Sequence, residues 1–129
     1  MKTKEIIKEY FKNAKLEVLD KETTKGVWGA FGNDKVYGAV SLTYIHKYLL
    51  KEKVSLKFVA KIIAELCKEK YLLPIPCDFA GDLVFCQYTW SLSKGWMKFL
   101  FSDNKVICSK YYTGSHIGNQ VKKFNELIK

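Results

Sequence analysis

The sequence predicts a mixed α/β (α+β) fold, in which helices and small strands come first and one long helix then leads into a meander of strands. Two observations carry this prediction. Apolar residues recur at helical spacing in three segments before Lys70, and beyond Pro74 the period of the pattern changes from about 3.6 to about 2. Pro74 and Pro76 also exclude a helix at that point, because proline lacks an amide hydrogen.

The first helix and the segment after it follow from local patterns. Thr3 is expected to cap a helix with one apolar face. That face consists of Ile6, Ile7, Tyr10, Phe11 and Ala14. Apolar and charged residues then alternate from Leu16 to Asp20, which predicts a short strand. The segment 23–38, TTKGVWGAFGNDKVYG, contains four glycines among large apolar residues, which indicates turns and further short strands.

Two more helices are each introduced by a serine. Ser41 is the expected N-cap of the second helix and Ser55 that of the third, because a serine hydroxyl can accept a hydrogen bond from an amide of the first turn. The third helix has the strongest helical period of the chain and should extend to about Lys70. At the polar break between these helices we expect two small lobes to meet, an N-terminal α/β lobe at residues 1–54 and a C-terminal lobe at residues 55–129.

The C-terminal lobe should combine the long helix with a mainly antiparallel or mixed sheet. Three segments rich in aromatic and β-branched residues predict strands. They lie at residues 83–88, 97–101 and 106–112. SLSKG and SDNK are the expected turns, and the tail from Gly118 to Lys129 fits either a last helix or a short last strand.

Net charge is the most informative property of the overall composition. Lysines and arginines number 22 against 13 acidic residues, a formal net charge of +9, and every one of these cations is a lysine. Such a surface attracts nucleic acid through its phosphates, although a generic solvated surface has the same composition. No apolar run is long enough to cross a membrane, and Met1 to Lys15 lacks a signal-peptide cleavage site. We therefore expect a cytoplasmic protein without a membrane partner.

The candidate metal ligands and stacking residues each allow a structural interpretation. No two of the four cysteines have the spacing of a CxxC motif, and the two histidines are isolated in sequence. We therefore expect no metal and no cofactor. Asp78 and Asp82 have the spacing of a carboxylate pair on one face of a strand, but the two prolines before Asp78 favour a turn aspartate there and a strand-entry aspartate at Asp82. A set of aromatic residues either stacks on bases or forms the core face of the meander. This set is Tyr88, Trp90, Trp96, Tyr111 and Tyr112.

Three stretches resemble the archaeal tRNA-splicing endonuclease family. Residues 16–56, LEVLDKETTKGVWGAFGNDKVYGAVSLTYIHKYLLKEKVSL, are similar to its N-terminal domain. Residues 65–86, ELCKEKYLLPIPCDFAGDLVFC, are similar to its second domain, where a tyrosine-initiated strand and a loop with an aspartate precede the strand of the catalytic tyrosine. QVKKFNELI resembles the basic stretch before the final strand of that domain. The resemblance puts Asp82 at the family's aspartate and Lys123 at its catalytic lysine.

The departures from this family imply a non-catalytic role. Its members use tyrosine, histidine and lysine for metal-independent attack of a ribose 2′-OH on the adjacent phosphate. Here the tyrosine position is Cys86 and the histidine position is Trp96, and an indole cannot transfer the proton that an imidazole can. The resemblance therefore implies a structural subunit that pairs with a catalytic subunit, in a heterotetramer, and binds precursor tRNA for intron excision. The expected RNA contacts are Lys94, Lys98, Lys110, Lys122 and Lys123.

A winged-helix DNA-binding module is the alternative. SLTYIHKYLL and SLKFVAKIIAEL would be its two helices, and residues 83–112 its wing. The second of these segments contains no Asn, Gln or Arg, the residues that most often read base edges. Its lysines are also spread around an apolar stripe, and both features argue against the winged-helix interpretation.

Overall fold

The computed structural model describes residues 2–13, 17–19, 35–37, 40–75, 82–88, 100–108 and 116–129. Within these ranges the chain forms four helices and small antiparallel sheets, which confirms the mixed α+β prediction. None of the helices in the described ranges has both the length and the apolar character that crossing a membrane requires.

The helices and strands follow one another in a simple order. The helices are α1 at Thr3–Asn13, α2 with an α-helical turn at Leu42–Tyr44 that continues as a π-helix at Ile45–Leu49, α3 at Leu56–Lys68 and α4 at His116–Leu127. The strands are β1 at Glu17–Leu19, β2 at Lys35–Tyr37, β3 at Val40–Ser41, β4 at Leu72–Ile75, β5 at Val84–Gln87, β6 at Leu100–Ser102 and β7 at Lys105–Ile107.

The helix starts agree with the predicted caps at two of three places. The Ser41 hydroxyl accepts a hydrogen bond from the Tyr44 amide at 3.0 Å, and the Ser55 hydroxyl accepts one from the Phe58 amide at 3.1 Å. The predicted N-cap at Thr3 was wrong by one residue. Thr3 is already the first residue of the helix, and the Ile6 amide donates to the carbonyl of Lys2, so Lys2 occupies the cap position. The ambiguous tail is helix α4 and not a strand.

The central sheet has the strand order β3-β5-β4 and is antiparallel throughout. Pro74 lies in β4, opposite Phe85 of β5. Proline cannot donate a ladder hydrogen bond, so it is accepted at the edge of a sheet, which is where β4 lies among the described strands. β4 begins at Leu72, directly after Tyr71.

In the described part of the wing predicted at residues 83–112, the strands belong to two sheets. β5 pairs with β4 and β3, whereas β6 and β7 pair only with each other among the described strands. The predicted SDNK turn joins β6 to β7 with φ of 53° at Asp103 and 59° at Asn104, the signs of a type I′ turn. SLSKG and parts of the two later predicted strands lie outside the described residues.

One apolar core joins the helices to the central sheet. Ile7 and Phe11 of α1 and Ile63 of α3 are fully buried in it. Phe85 of β5 packs on Phe124 of α4, with ring centroids 5.3 Å apart. The predicted boundary between residues 54 and 55 stays a prediction. The described residues on its two sides share this core and, through β3 and β5, one sheet.

Candidate nucleic-acid interface

Residues 40–87 place two consecutive helices on a three-stranded sheet. β3 leads directly into α2, α3 follows after a short connection, and the strands β4 and β5 come next. β5 returns to pair with β3, and the Leu42 amide donates to the Leu83 carbonyl at 3.0 Å, so the start of α2 is tied to the start of β5. The unit therefore consists of two helices joined by the connection at residues 50–55, with strands before and after them in sequence.

The connection between α2 and α3 has a defined conformation. Lys51 and Glu52 adopt left-handed backbone angles, with φ of 52° and 58°. The Glu52 amide donates to the His46 carbonyl at 2.9 Å. The imidazole of His46 donates through Nε2 to the Val54 carbonyl at 2.8 Å, since that carbonyl can only accept. These contacts fix where α3 starts relative to α2.

The outer side of α3 carries a row of lysines. Lys57, Phe58, Lys61, Glu65 and Lys68 are exposed, and their spacing of three and four residues places them along one side of the helix. We name these five residues the α3 stripe. Glu65 is engaged by Lys4 of α1 at 3.4 Å. Within the described residues Lys57, Lys61 and Lys68 form no ion pair, so their ammonium groups can meet phosphates.

A second exposed feature, which the sequence analysis missed, is a row of tyrosine rings on α1 and α2. Tyr44 is 40% exposed and Tyr48 is 63% exposed. The ring of Tyr44 lies 6.1 Å from that of Tyr10 and 5.5 Å from that of Tyr48. The spacing already indicated this, because tyrosines four positions apart on a helix lie next to each other on its surface.

Asp82 has a structural role in the fold. Its Oδ2 atom accepts hydrogen bonds from the Thr43 amide at 2.7 Å and from the Thr43 hydroxyl at 2.6 Å. Asp78 lies outside the described residues. Among the residues that the structure describes, no three His, Cys, Asp or Glu side chains come together in a group that could hold a metal ion.

Cys86 cannot serve as a nucleophile where the structure places it. Its side chain is 0% exposed, in the middle of β5 opposite Leu73. Burial raises the pKa of the Cys86 thiol to about 12, and burial likewise raises the pKa of Cys67 on α3. A thiolate is the reactive form of cysteine, so Cys86 is an inert core residue.

Only two of the five predicted RNA-binding lysines are among the described residues. Lys122 and Lys123 are both exposed on α4. Lys123 lines a cavity of about 180 Å³ together with Asp82, so these two residues belong to one region of the surface. Lys94, Lys98 and Lys110, and Trp96 at the histidine position, lie outside the described residues.

Comparison of the chain with family models, with curated proteins and with solved structures found no match. The function must therefore be inferred from the chain itself.

Proposed function

We propose that this chain is a winged-helix module that binds duplex DNA, mainly through its phosphates. The observation that carries the proposal is the order of elements from β3 to β5. A strand, a pair of helices and a hairpin follow one another, and the first strand pairs with the last strand of the hairpin. In helix-turn-helix proteins the second helix of the pair lies in the major groove. In this chain the second helix is α3.

The charges of α3 support phosphate contacts more than base contacts. Lys57 and Lys61 stand in the first half of the helix and Lys68 at its end, all on the exposed α3 stripe. Phosphate contacts position a protein on DNA, whereas sequence is read by side chains at base edges. Because α3 contains no Asn, Gln or Arg, we expect binding with little preference for sequence.

The test is fluorescence anisotropy with two labelled duplexes of unrelated sequence at low and moderate salt. The Lys57→Gln/Lys61→Gln protein removes two charges from α3. The Lys12→Gln/Lys105→Gln protein removes two exposed charges from α1 and β7 and is the matched control. We expect the α3 variant to lose about tenfold or more in affinity and the control to lose less. Absence of duplex binding, or equal loss in both variants, contradicts the proposal.

A non-catalytic subunit of a tRNA-splicing endonuclease is the second candidate. Two observations favour it. Cys86, at the tyrosine position of the resemblance, is fully buried, so this chain offers no nucleophile there. Lys123, at the lysine position, lines the same cavity as Asp82. In this proposal a catalytic partner subunit, in a heterotetramer, cleaves the precursor tRNA that Lys122 and Lys123 help to bind. This function would place the chain in the cytoplasm.

The second candidate is tested by metal-free cleavage of an intron-containing precursor tRNA. The chain is assayed alone and with the proteins that co-purify with it from its own source. Cleavage only with a partner, reduced by Lys123→Gln but not by Lys12→Gln, supports the subunit. Metal-free cleavage by the chain alone contradicts the non-catalytic role, and absence of cleavage in every combination contradicts the subunit proposal.

A further inference from the structure

A cavity of about 180 Å³ opens where α2, α3, α4 and the start of β5 meet. Its walls are mainly apolar side chains. They are Leu42, Leu56, Leu83, Phe124 and Leu127. An engineered apolar cavity of about 150 Å³ holds benzene, so this volume suits a small organic molecule and is too small for a nucleotide. Pockets for such ligands are typically apolar with a few convergent polar groups.

The cavity also carries one acidic and one basic side chain. The Asp82 carboxylate is held in place through Oδ2 by the two groups of Thr43, which also lines the cavity. Lys123 comes from α4, on the other side of the opening. These two side chains form no ion pair with each other, since no nitrogen–oxygen distance between them is within 4.0 Å. Each of these two charged side chains can therefore pair with a group of opposite charge on a ligand.

We propose that this cavity binds a free α-amino acid with an apolar side chain. The ammonium of the amino acid would pair with the Asp82 carboxylate, and its carboxylate with the Lys123 ammonium. Its side chain would replace water against the leucines and Phe124. A fatty acid or an amine would satisfy only one of the two charges, and glycine would leave the apolar wall uncovered, so the zwitterion with an apolar side chain fits best.

The position of the cavity suggests what the ligand would regulate. Leu42 and Leu56 are the first residues of α2 and α3, so a bound molecule contacts both helices of the pair. Where DNA and the ligand each bind one arrangement of these helices better than another, the ligand changes DNA affinity, and DNA changes ligand affinity by the same factor. This regulatory link rests on the proposed DNA-binding function, whereas ligand binding itself does not.

The test is isothermal titration calorimetry and thermal unfolding with L-leucine and L-phenylalanine. The probes that lack one feature are 4-methylpentanoate, leucinamide and glycine. We expect one or both amino acids to bind and to raise the unfolding temperature, and each probe to bind at least about tenfold more weakly. Lys123→Gln should lose binding, and Leu127→Trp, which fills the cavity but keeps both charges, should lose it as well. Lys105→Gln, which changes an exposed lysine outside the cavity lining, should bind like the unmodified chain.

Several outcomes overturn the proposal. They are absence of binding by both amino acids, binding of leucinamide as strong as that of leucine, and undiminished binding by Lys123→Gln. The DNA link is tested by repeating the anisotropy titration with saturating amino acid. Unchanged DNA affinity overturns the link and leaves the ligand site standing. Amino-acid binding by a chain that binds no DNA overturns the proposed function and leaves the ligand site standing as well.

Discussion

Asp82 and Thr43 join the start of β5 to the first turn of α2, across 39 positions of sequence. One carboxylate oxygen of Asp82 accepts from both the amide and the hydroxyl of Thr43, at 2.7 and 2.6 Å. Ser41 accepts from the next amide, that of Tyr44. Two side chains thus satisfy two successive amides that a helix start leaves without a helical partner.

The first prediction concerns this helix start. Asp82→Ala should lower the free energy of unfolding by about 1–3 kcal/mol, because it removes a charged acceptor from two donors. Urea denaturation measures the change. Glu126→Ala is the control, since this exposed residue pairs only with Lys129 in the described part of the chain and should cost about 0.5 kcal/mol or less. Equal effects of the two substitutions would show that the Asp82–Thr43 contact contributes no net stability.

Local features of the fold could be predicted from sequence, and long-range ones could not. Ser41 and Ser55 cap helices through amides three residues away, so their role is visible in a short stretch of sequence. The pairing of Ser41 with Val84 in the central sheet has no such signal, because β3 is only two residues long. Its position depends on the packing of the whole chain.

The same distinction holds for the candidate site. The resemblance put Cys86 at the family's tyrosine position, but three successive side chains of β5 are buried and Cys86 is one of them. A strand with both faces covered shows no alternation from which exposure could be predicted. The cavity between Asp82 and Lys123 could not be predicted from the sequence either, because it exists only where α4 packs beside α2 and β5.

The second prediction concerns the end of α3. The Lys70 amide donates to the Cys67 carbonyl and the Tyr71 amide to the Leu66 carbonyl, the two hydrogen bonds of a Schellman motif. Lys70 occupies the position that favours glycine, with φ of 59°. Lys70→Gly should therefore raise the free energy of unfolding by about 0.5–1 kcal/mol, the relief of left-handed strain less the entropy cost of glycine.

Lys68→Gly is the matched control for this prediction. Lys68 is exposed like Lys70 but is the last residue of α3 itself. Glycine there should lower the free energy of unfolding by up to about 1 kcal/mol. Chemical denaturation of both variants decides the matter, and destabilisation by Lys70→Gly would mean that the left-handed conformation carries no strain.

The third prediction is a loss of stability at alkaline pH. Burial raises the pKa of Cys86 from its ordinary 9.0 to about 12 in the folded chain. Between these values the folded state keeps a proton that the unfolded state has lost. This contribution to stability is fully present below pH 9 and is lost as the pH rises towards 12.

Cys86→Ala should flatten this alkaline decrease in the free energy of unfolding, measured by urea denaturation at a series of pH values. The comparison of slopes is needed because lysine and tyrosine side chains in general have ordinary pKa values of about 10. Cys108→Ala is the control. Burial raises the pKa of Cys108 as well, but this residue is only half-buried, so its thiol is less desolvated than that of Cys86. Identical slopes for the original chain and Cys86→Ala would contradict the burial of a protonated thiol at this position.

The fourth prediction separates phosphate contacts from base recognition on α3. If Lys61 of the α3 stripe meets a phosphate, Lys61→Gln should weaken binding to unrelated duplexes by the same factor. The slope of log affinity against log salt should also fall by about one unit, the signature of one released counterion. Anisotropy titrations over a salt series measure both quantities, with Lys12→Gln on α1 as the control that keeps the original slope. A loss that differs between duplexes, with an unchanged slope, would place Lys61 at a base edge and would make α3 a sequence-reading helix.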